Sequence, residues 1–225
     1  MTNNLTELVF ILDRSGSMSG LESDTIGGFN SLIAKQKKEE GNAYVSTVLF
    51  DSTCDVLHDR IPLEQVNPMT EKDYYTQGCT ALLDAVGNAI HHIGNIHKYA
   101  RPEDVPAKTL FVITTDGCEN SSKRYNYSQI KEMIERQKRK YGWEFLFLGA
   151  NIDAAEVAGR MGIAKDRAVN YECDSVGTAV NYRALEKAVS SVRRSKSAKE
   201  AARSLNEREW CAEITADYLT RHTGK

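Results

Sequence analysis

Paired cysteines, long apolar runs and a strong net charge are all missing from this sequence of 225 residues. Its five cysteines are scattered and form no C-x-x-C pair, which argues against a disulfide framework or a zinc site and favours a reducing compartment. No stretch approaches the roughly 18 apolar residues of a membrane span, and no basic segment followed by an apolar one opens the chain. A formal charge of −2 gives no field that attracts nucleic acid or an anionic membrane. We therefore expect a cytoplasmic protein that binds neither.

Strand patterns alternate with helical patterns over most of the chain, and 41% of the residues are apolar. This alternation predicts βαβ units in a mostly parallel, doubly wound α/β sheet. Residues 44–50 and 54–58 flank a short turn and predict one antiparallel pair at an edge of the sheet. Because the composition changes after Arg194, we expect one domain over residues 1–194 and a loosely docked helical extension over residues 195–225.

The opening strand pattern ends in a set of oxygen-bearing side chains. Residues 8–12 are all apolar and predict a strand buried on both faces; Asp13 ends the run, and Ser15 and Ser17 follow. In an open parallel sheet, the carboxyl end of a central strand opens into the crevice where ligands bind, and such oxygens suit a hard cation. A purely structural interpretation also stays open, in which the serines turn the chain and Asp13 caps the next helix.

Two more oxygen donors arrive at the same predicted edge. Thr80 precedes an amphipathic helix pattern, and Asp116 ends another buried strand pattern. If the two carboxylate-bearing strands are neighbours, we expect five side chains to converge: Asp13, Ser15, Ser17, Thr80 and Asp116. Hydroxyls and carboxylates suit Mg²⁺ or Mn²⁺, whereas zinc lacks its usual His and Cys ligands here. Three of the five groups are neutral hydroxyls, so they do not cancel the charge of the ion. A coordination position is therefore left for an anionic group from outside.

These residues carry a family resemblance. Asp13-Arg14-Ser15-Gly16-Ser17, together with Thr80 and Thr115-Asp116-Gly117, resembles the metal-ion-dependent adhesion site (MIDAS) of von Willebrand factor type A domains. The likeness covers roughly residues 5–194 in the family's order, and no ligand element is substituted. It implies a bacterial-type intracellular member with an intact site. It also implies a Rossmann-like three-layer sandwich whose six-stranded sheet has the order 3-2-1-4-5-6, with the third strand antiparallel.

For the site itself, the resemblance implies that Ser15, Ser17 and, in one state, Thr80 bind the ion directly. Asp13 and Asp116 would act mostly through water or hydrogen bonds. An Asp or Glu carboxylate of a protein partner would complete the coordination of the metal. We therefore interpret the chain as a Mg²⁺-dependent protein–protein interaction module and not as an enzyme.

Two alternatives belong to other classes of function. The first is a metal-dependent hydrolase or phosphatase on a Rossmann-like sheet, but Ser15 stands where phosphatases of the haloacid dehalogenase type place a second aspartate. Neither a G-x-S-x-G elbow nor a glycine-rich phosphate loop occurs. The second is an assembly or scaffold protein that acts through its helical tail. The residues that would carry that role are Trp210, Arg193, Arg194, Lys196, Lys199 and Arg203.

Overall fold

The computed structural model describes residues 4–222, apart from the side chains of residues 207 and 208. Residues 1–3 of the predicted domain and residues 223–225 of the predicted extension therefore lie outside the described residues. A six-stranded sheet in the order β3-β2-β1-β4-β5-β6 forms the centre of the molecule. Its strands are β1 (Thr6–Asp13), β2 (Ala43–Phe50), β3 (Cys54–Pro62), β4 (Lys108–Thr115), β5 (Glu144–Gly149) and β6 (Ala168–Asn170).

Neighbouring strands pair in parallel, except that β3 runs antiparallel to β2 at one edge. The predicted fold class, a doubly wound α/β sheet in the order 3-2-1-4-5-6 with an antiparallel third strand, is confirmed. The strand β3 continues to Pro62, beyond the predicted end at residue 58. The pairing of β3 with β2 shifts register on either side of Thr47. Such an irregularity lets β3 continue pairing beyond residue 58, where its alternation of apolar and polar residues stops.

Helices cover both faces of the sheet. They are α1 (Glu22–Gln36), α2 (Leu82–Tyr99), α3 (Tyr127–Tyr141), α4 (Ala154–Arg160), α5 (Ser175–Arg194), α6 (Ala198–Ser204) and α7 (Ala212–His222). Short 3₁₀ turns lie at residues 16–18, 63–65, 102–104, 165–167 and 206–211. Within residues 4–222, no helix is both long enough and apolar enough to span a membrane.

The strand β1 is buried on both faces because its side chains alternate between two apolar layers. Phe10 belongs to the core formed with α1 and α5, whereas Ile11 belongs to the core formed with α2, α3 and α4. The strand β1 is therefore held by β2 and β4 at its edges and by an apolar layer on each face. The residues that follow Asp13 begin from this well-packed strand.

The extension after Arg194 is part of the main core. Leu205 and Cys211 are completely buried, and Trp210 packs in the same apolar cluster as the sheet while its Nε1 donates to the Asp166 carbonyl oxygen at 3.0 Å. The expectation of loose docking is therefore wrong. A short linker followed by scattered apolar residues is typical of a weakly held appendage, but in this chain those residues belong to the same apolar cluster as α5.

His58 is expected to make stability depend on pH. Its Nδ1 lies 3.0 Å from Thr47 Oγ1, its Nε2 lies 3.2 Å from the Asn67 carbonyl oxygen, and its ring stacks on Phe29 at 6.2 Å. Because a carbonyl only accepts, Nε2 carries the hydrogen and Nδ1 accepts from the hydroxyl. Burial lowers the pKa of His58, so the neutral ring is the native form.

A group whose pKa falls on folding contributes stability above its unfolded pKa, about 6.5 for histidine. That contribution is lost as the pH drops from there through the folded pKa. We expect the urea midpoint of the wild type to fall between pH 7.5 and 5, and His58→Gln to show a smaller fall. His91→Gln, at an exposed position, is the matched control. Equal pH dependence in wild type and His58→Gln would contradict this assignment.

Candidate metal site at the carboxyl edge of the sheet

The predicted site residues from β1 and β4 meet because these two strands are neighbours, with Leu12 paired to Thr114. Ser15 Oγ lies 3.2 Å from Ser17 Oγ, and Ser17 Oγ donates to Asp116 Oδ1 at 2.6 Å. Asp13 is linked to the same group, because its Oδ1 accepts from the Ser15 backbone N–H at 2.7 Å. Four of the five predicted side chains therefore form one hydrogen-bonded cluster.

Thr80 reaches this cluster from the segment before α2, which begins two residues later at Leu82. A methyl group built on Gly117 would lie 3.6 Å from Ser17 Oγ and 3.7 Å from Thr80 Oγ1. The two hydroxyls therefore face one small space beside Asp116, and the missing side chain at position 117 keeps that space open. All five predicted residues lie at the same edge of the sheet.

The oxygen atoms fit a small, hard cation. Two adjacent ligands of an octahedral Mg²⁺, each at about 2.1 Å from the ion, are about 3 Å apart. The separation of 3.2 Å between the two serine hydroxyls is close to that value, and Asp116 Oδ1 accepts from one of them, Ser17 Oγ, at 2.6 Å. In the part of the chain that the structure describes, no group of three or more His, Cys, Asp or Glu side chains is arranged to hold a metal. Any metal at this edge would therefore depend on the hydroxyls.

Burial makes the two carboxylates of the cluster costly in their charged form. It raises the pKa of Asp13, although hydrogen bonds from Ser15 and Thr115 act in the opposite direction. Burial also raises the pKa of Asp116, against hydrogen bonds from Ser17 and Cys173. A divalent cation held by this cluster would offset both penalties, since a bound cation is the largest local charge in such a site.

Arg14, inside the D-x-S-x-S segment, does not neutralise these carboxylates. It is only 2% exposed, its Nε donates to Asp51 Oδ2 at 2.8 Å, and its Nη2 contacts Asp55. Its guanidinium lies 5.0 Å from the centre of the Tyr75 ring. No sequence pattern indicates this role for Arg14, which holds the serine-bearing loop against the turn between β2 and β3.

The loop of residues 70–78 holds the same segment from the other side. The Arg14 carbonyl oxygen accepts from Gln77 N at 2.9 Å, and Gly16 N donates to the Gly78 carbonyl oxygen at 3.2 Å. The buried Tyr74 hydroxyl donates to the Asp13 carbonyl oxygen. These contacts fix the backbone that presents Ser15 and Ser17, and sequence patterns carried no signal for them because they join distant segments.

The loop after β4 ties Thr80 to Asp116. Thr80 N donates to Asn120 Oδ1 at 2.9 Å, and Leu83 N donates to Glu119 Oε2 at 2.9 Å. The Glu119 carboxylate thus caps the start of α2, where exposed backbone N–H groups favour negative charge. Glu119 and Asn120 follow Asp116 so closely in the chain that the position of Thr80 depends on the same loop.

A cysteine also touches the site. Cys173 Sγ lies 3.6 Å from Asp116 Oδ2, in the loop between β6 and α5. Burial and the neighbouring carboxylate raise the pKa of this thiol to about 12, so that it is protonated and donates. By contrast, Cys79 and Cys118, which lie next to Thr80 and near Asp116 in the sequence, are exposed.

Comparison with known proteins rests on structure alone. No protein-family model matches the chain, and no curated protein matches it. Proximal thread matrix protein 1 from the mussel byssus resembles it with a TM-score of 0.55 and 13% identity over 84% of this chain and 47% of that one. Another structure of that protein, with a zinc-occupied MIDAS motif, has a TM-score of 0.55 and 12% identity over the same shares.

A von Willebrand factor type A structure from Catenulispora acidiphila has a TM-score of 0.54 and 13% identity over 83% of this chain and 43% of that one. The chain thus spans less than half the length of these solved chains. At such low identity the likeness establishes the fold and nothing finer. Together with the strand order and the antiparallel β3, it shows that this chain has the α/β fold of a von Willebrand factor type A domain.

Proposed function

We propose that this chain is a metal-dependent binding module that holds Mg²⁺ at the carboxyl edge of its sheet and grips an acidic side chain of a protein partner. The observation that carries the proposal is the hydrogen-bonded chain from Ser15 through Ser17 to Asp116, with Thr80 facing the same space. A set of oxygen donors alone favours Mg²⁺ or Mn²⁺ over metals that prefer nitrogen and sulfur. The zinc in the mussel protein supports a divalent ion at this type of site.

The existing hydrogen bonds of the five residues support a division of roles among them. Asp13 Oδ1 accepts from Ser15 N and its Oδ2 accepts from Thr115 Oγ1 at 2.6 Å, so this carboxylate positions the loop. Asp116 likewise accepts from Ser17 through one oxygen and from Cys173 through the other. The direct ligands would then be the hydroxyls of Ser15, Ser17 and Thr80. A bound Mg²⁺ supplies a positive charge that neutral hydroxyls leave available to a partner's carboxylate.

A binding role rather than catalysis is part of the proposal. A phosphatase of the haloacid dehalogenase type would need a general acid at position 15, and Ser15 instead hydrogen-bonds Ser17 within the cluster. A cytoplasmic location is also proposed, and the free thiols of Cys54, Cys79, Cys118 and Cys173 support it.

Calorimetric titration with Mg²⁺ tests this proposal. Thr80→Ala removes one proposed ligand while keeping the backbone bond to Asn120, so we expect the Mg²⁺ affinity to fall by at least roughly tenfold with the fold intact. Ser19→Ala removes an exposed hydroxyl just outside the cluster and is the matched control. Equal affinities for wild type and Thr80→Ala would refute the site. A pull-down in Mg²⁺ and again in chelator then tests whether partner capture needs the metal.

A further inference from the structure

A groove between α2 and α3 has no acidic residue in its lining. It encloses about 380 Å³ and is lined by ten residues. His91 and Lys98 come from α2, Arg136 and Tyr141 come from α3, and Tyr125 closes one end. In a chain with slightly more acidic than basic residues, a concave surface without a carboxylate stands out.

The cations of this groove are not neutralised by the protein itself. Among the ion pairs of the described residues, none involves Lys98, Arg136, or the flanking Arg124 and Lys140. By contrast, Lys131 on the opposite side of α3 lies 3.9 Å from a Glu135 oxygen. Two unpaired side-chain cations, Lys98 and Arg136, thus line the groove, and the side chains of Arg124 and Lys140, next in sequence to Tyr125 and Tyr141, form no ion pair with a described residue either.

Aromatic rings stand beside these cations. Lys98 lies 4.8 Å from the centre of the Tyr99 ring, and Lys140 lies 5.3 Å from that of Tyr141. The two tyrosines are 77% and 49% exposed, which is unusual for large aromatic side chains. Tyrosine and arginine are enriched where proteins bind one another, because a ring supplies contact area and a guanidinium pairs with carboxylates.

We propose that this α2–α3 groove docks an acidic polypeptide segment of the same partner whose carboxylate binds at the metal site. The inference rests on the proposed function for its link to the metal, and on charge complementarity for the groove itself. A peptide is favoured over nucleic acid because the overall charge is −2 and the basic residues line one short groove, whereas a nucleic acid needs an extended basic surface.

The geometry allows one chain to reach both places. The helix α2 starts at Leu82, just after Thr80, and passes His91 and Lys98 on the way to its end. At 1.5 Å per residue, His91 and Lys98 lie about 14 and 24 Å along the helix from Leu82. An extended segment advances about 3.3 Å per residue, so roughly four to seven residues separate a carboxylate on the metal from one in the groove.

Fluorescence anisotropy with a labelled peptide of alternating glutamate and glycine tests the groove. The titration is run at low salt in EDTA and again in Mg²⁺, with an oligothymidylate as a nucleic-acid probe. We expect the peptide to bind the wild type in both solutions, and the Lys98→Glu/Arg136→Glu variant to bind it about tenfold more weakly. Lys131→Glu/Arg139→Glu makes the same change of net charge on the opposite side of α3 and is expected to keep most of the affinity.

Each outcome decides one question. Equal peptide affinity in the wild type and the Lys98→Glu/Arg136→Glu variant overturns the groove, and so does equal weakening in the control variant. Tighter binding of the oligothymidylate than of the peptide, lost in the same variant, would make the groove a nucleic-acid surface and also overturn the proposal. Mg²⁺ calorimetry on the same proteins separates the two hypotheses. If Mg²⁺ binds normally but the Lys98→Glu/Arg136→Glu variant keeps its peptide affinity, only the groove hypothesis is rejected. If that variant loses peptide affinity in EDTA but no protein binds Mg²⁺, only the metal-site hypothesis is rejected.

Discussion

Ending the chain at Arg194 is expected to remove most of the free energy of unfolding. Deleting one buried leucine, isoleucine or tryptophan side chain costs about 2–5 kcal/mol, and whole domains of this size are stable by roughly 5–15 kcal/mol. The truncation deletes Leu205, Trp210 and Ile214 together, and all three belong to the cluster that joins β1, α1 and α5. The remaining domain would expose the apolar surface that these side chains cover.

The truncation also removes hydrogen-bond acceptors from two buried cations. Arg167 donates to the carbonyl oxygens of Leu205 and Ala202 at 2.8 and 2.7 Å, and Lys108 Nζ donates to the Ser195 carbonyl oxygen at 2.7 Å. Both side chains are buried. Lys108 would keep the Arg193 carbonyl oxygen and Arg167 would keep Glu144, but a buried charge that loses hydrogen-bond acceptors is destabilised, so this loss adds to the apolar contribution.

Urea denaturation followed by circular dichroism measures the effect. We expect the chain truncated after Arg194 to be unfolded or to retain only a few kcal/mol, and Trp210→Ala to lose about 3–5 kcal/mol. Lys199→Ala, an exposed change in α6, is the control and should stay within about 0.5 kcal/mol of the wild type. A truncated chain with wild-type stability that had lost only its oligomeric state would instead favour the scaffold alternative.

The structure weakens the scaffold alternative at two of the six residues named for it. Trp210 is buried in the core, and Arg193 is buried while it donates to the carbonyl oxygens of Gln36 and Gly41 at the end of α1. Those two side chains are therefore not surface anchors. A partner that used the tail would have to contact the exposed residues named for it, which are Arg194, Lys196, Lys199 and Arg203.

Local signals in the sequence were enough to predict the order of the elements. A capping box joins Asn126 and Gln129 at the start of α3, and Gly142 ends that helix with a φ of 66°, as a glycine after a charged helix predicts. The apolar run of β1 likewise required a central strand. These features depend on neighbours in the chain, so one sequence carries them completely.

The residues that complete the site could not be predicted in this way. Arg14 meets Asp51 across 37 positions, and Cys173 meets Asp116 across 57. Their roles arise from the packing of the finished sheet, which places the turn after β2 and the loop after β6 on either side of the serines. Only the residues of a recognisable motif could be predicted as site residues. Asp51 and Cys173, which contact that motif in the folded chain, are not part of it.

Replacing Asp13 by asparagine is expected to change stability in opposite directions with and without metal. Burial raises the pKa of Asp13, and a carboxyl whose pKa is raised by folding contributes stability only below its unfolded pKa. That contribution is lost as the pH rises through the folded pKa, so the charged group opposes folding at neutral pH. In the absence of metal, the neutral Asp13→Asn side chain avoids this penalty and should raise the midpoint temperature.

The hydrogen bonds around residue 13 can be rebuilt by asparagine. Its Oδ1 can accept from Ser15 N, as the carboxylate does. Its amide N–H can donate to Thr115 Oγ1, whose hydroxyl can turn toward the Gly117 carbonyl oxygen at 3.3 Å. The variant is therefore expected to fold, but it lacks the negative charge that draws a cation to the cluster. Losing such an outer-shell charge costs roughly 10–100-fold in metal affinity.

Thermal unfolding without and with Mg²⁺ measures both changes in midpoint temperature on the same samples. At a Mg²⁺ concentration a hundredfold above its dissociation constant, the wild type gains about 2.7 kcal/mol, or roughly 5–10 °C for a chain of this length. A hundredfold loss of affinity reduces the gain in Asp13→Asn to about 0.4 kcal/mol, so addition of Mg²⁺ should reverse the order of the two midpoints. Asp104→Asn, an exposed change, is the control and should respond to Mg²⁺ like the wild type. Equal Mg²⁺-induced shifts in wild type and Asp13→Asn would show that Asp13 does not support a cation, whatever the metal-free midpoints are.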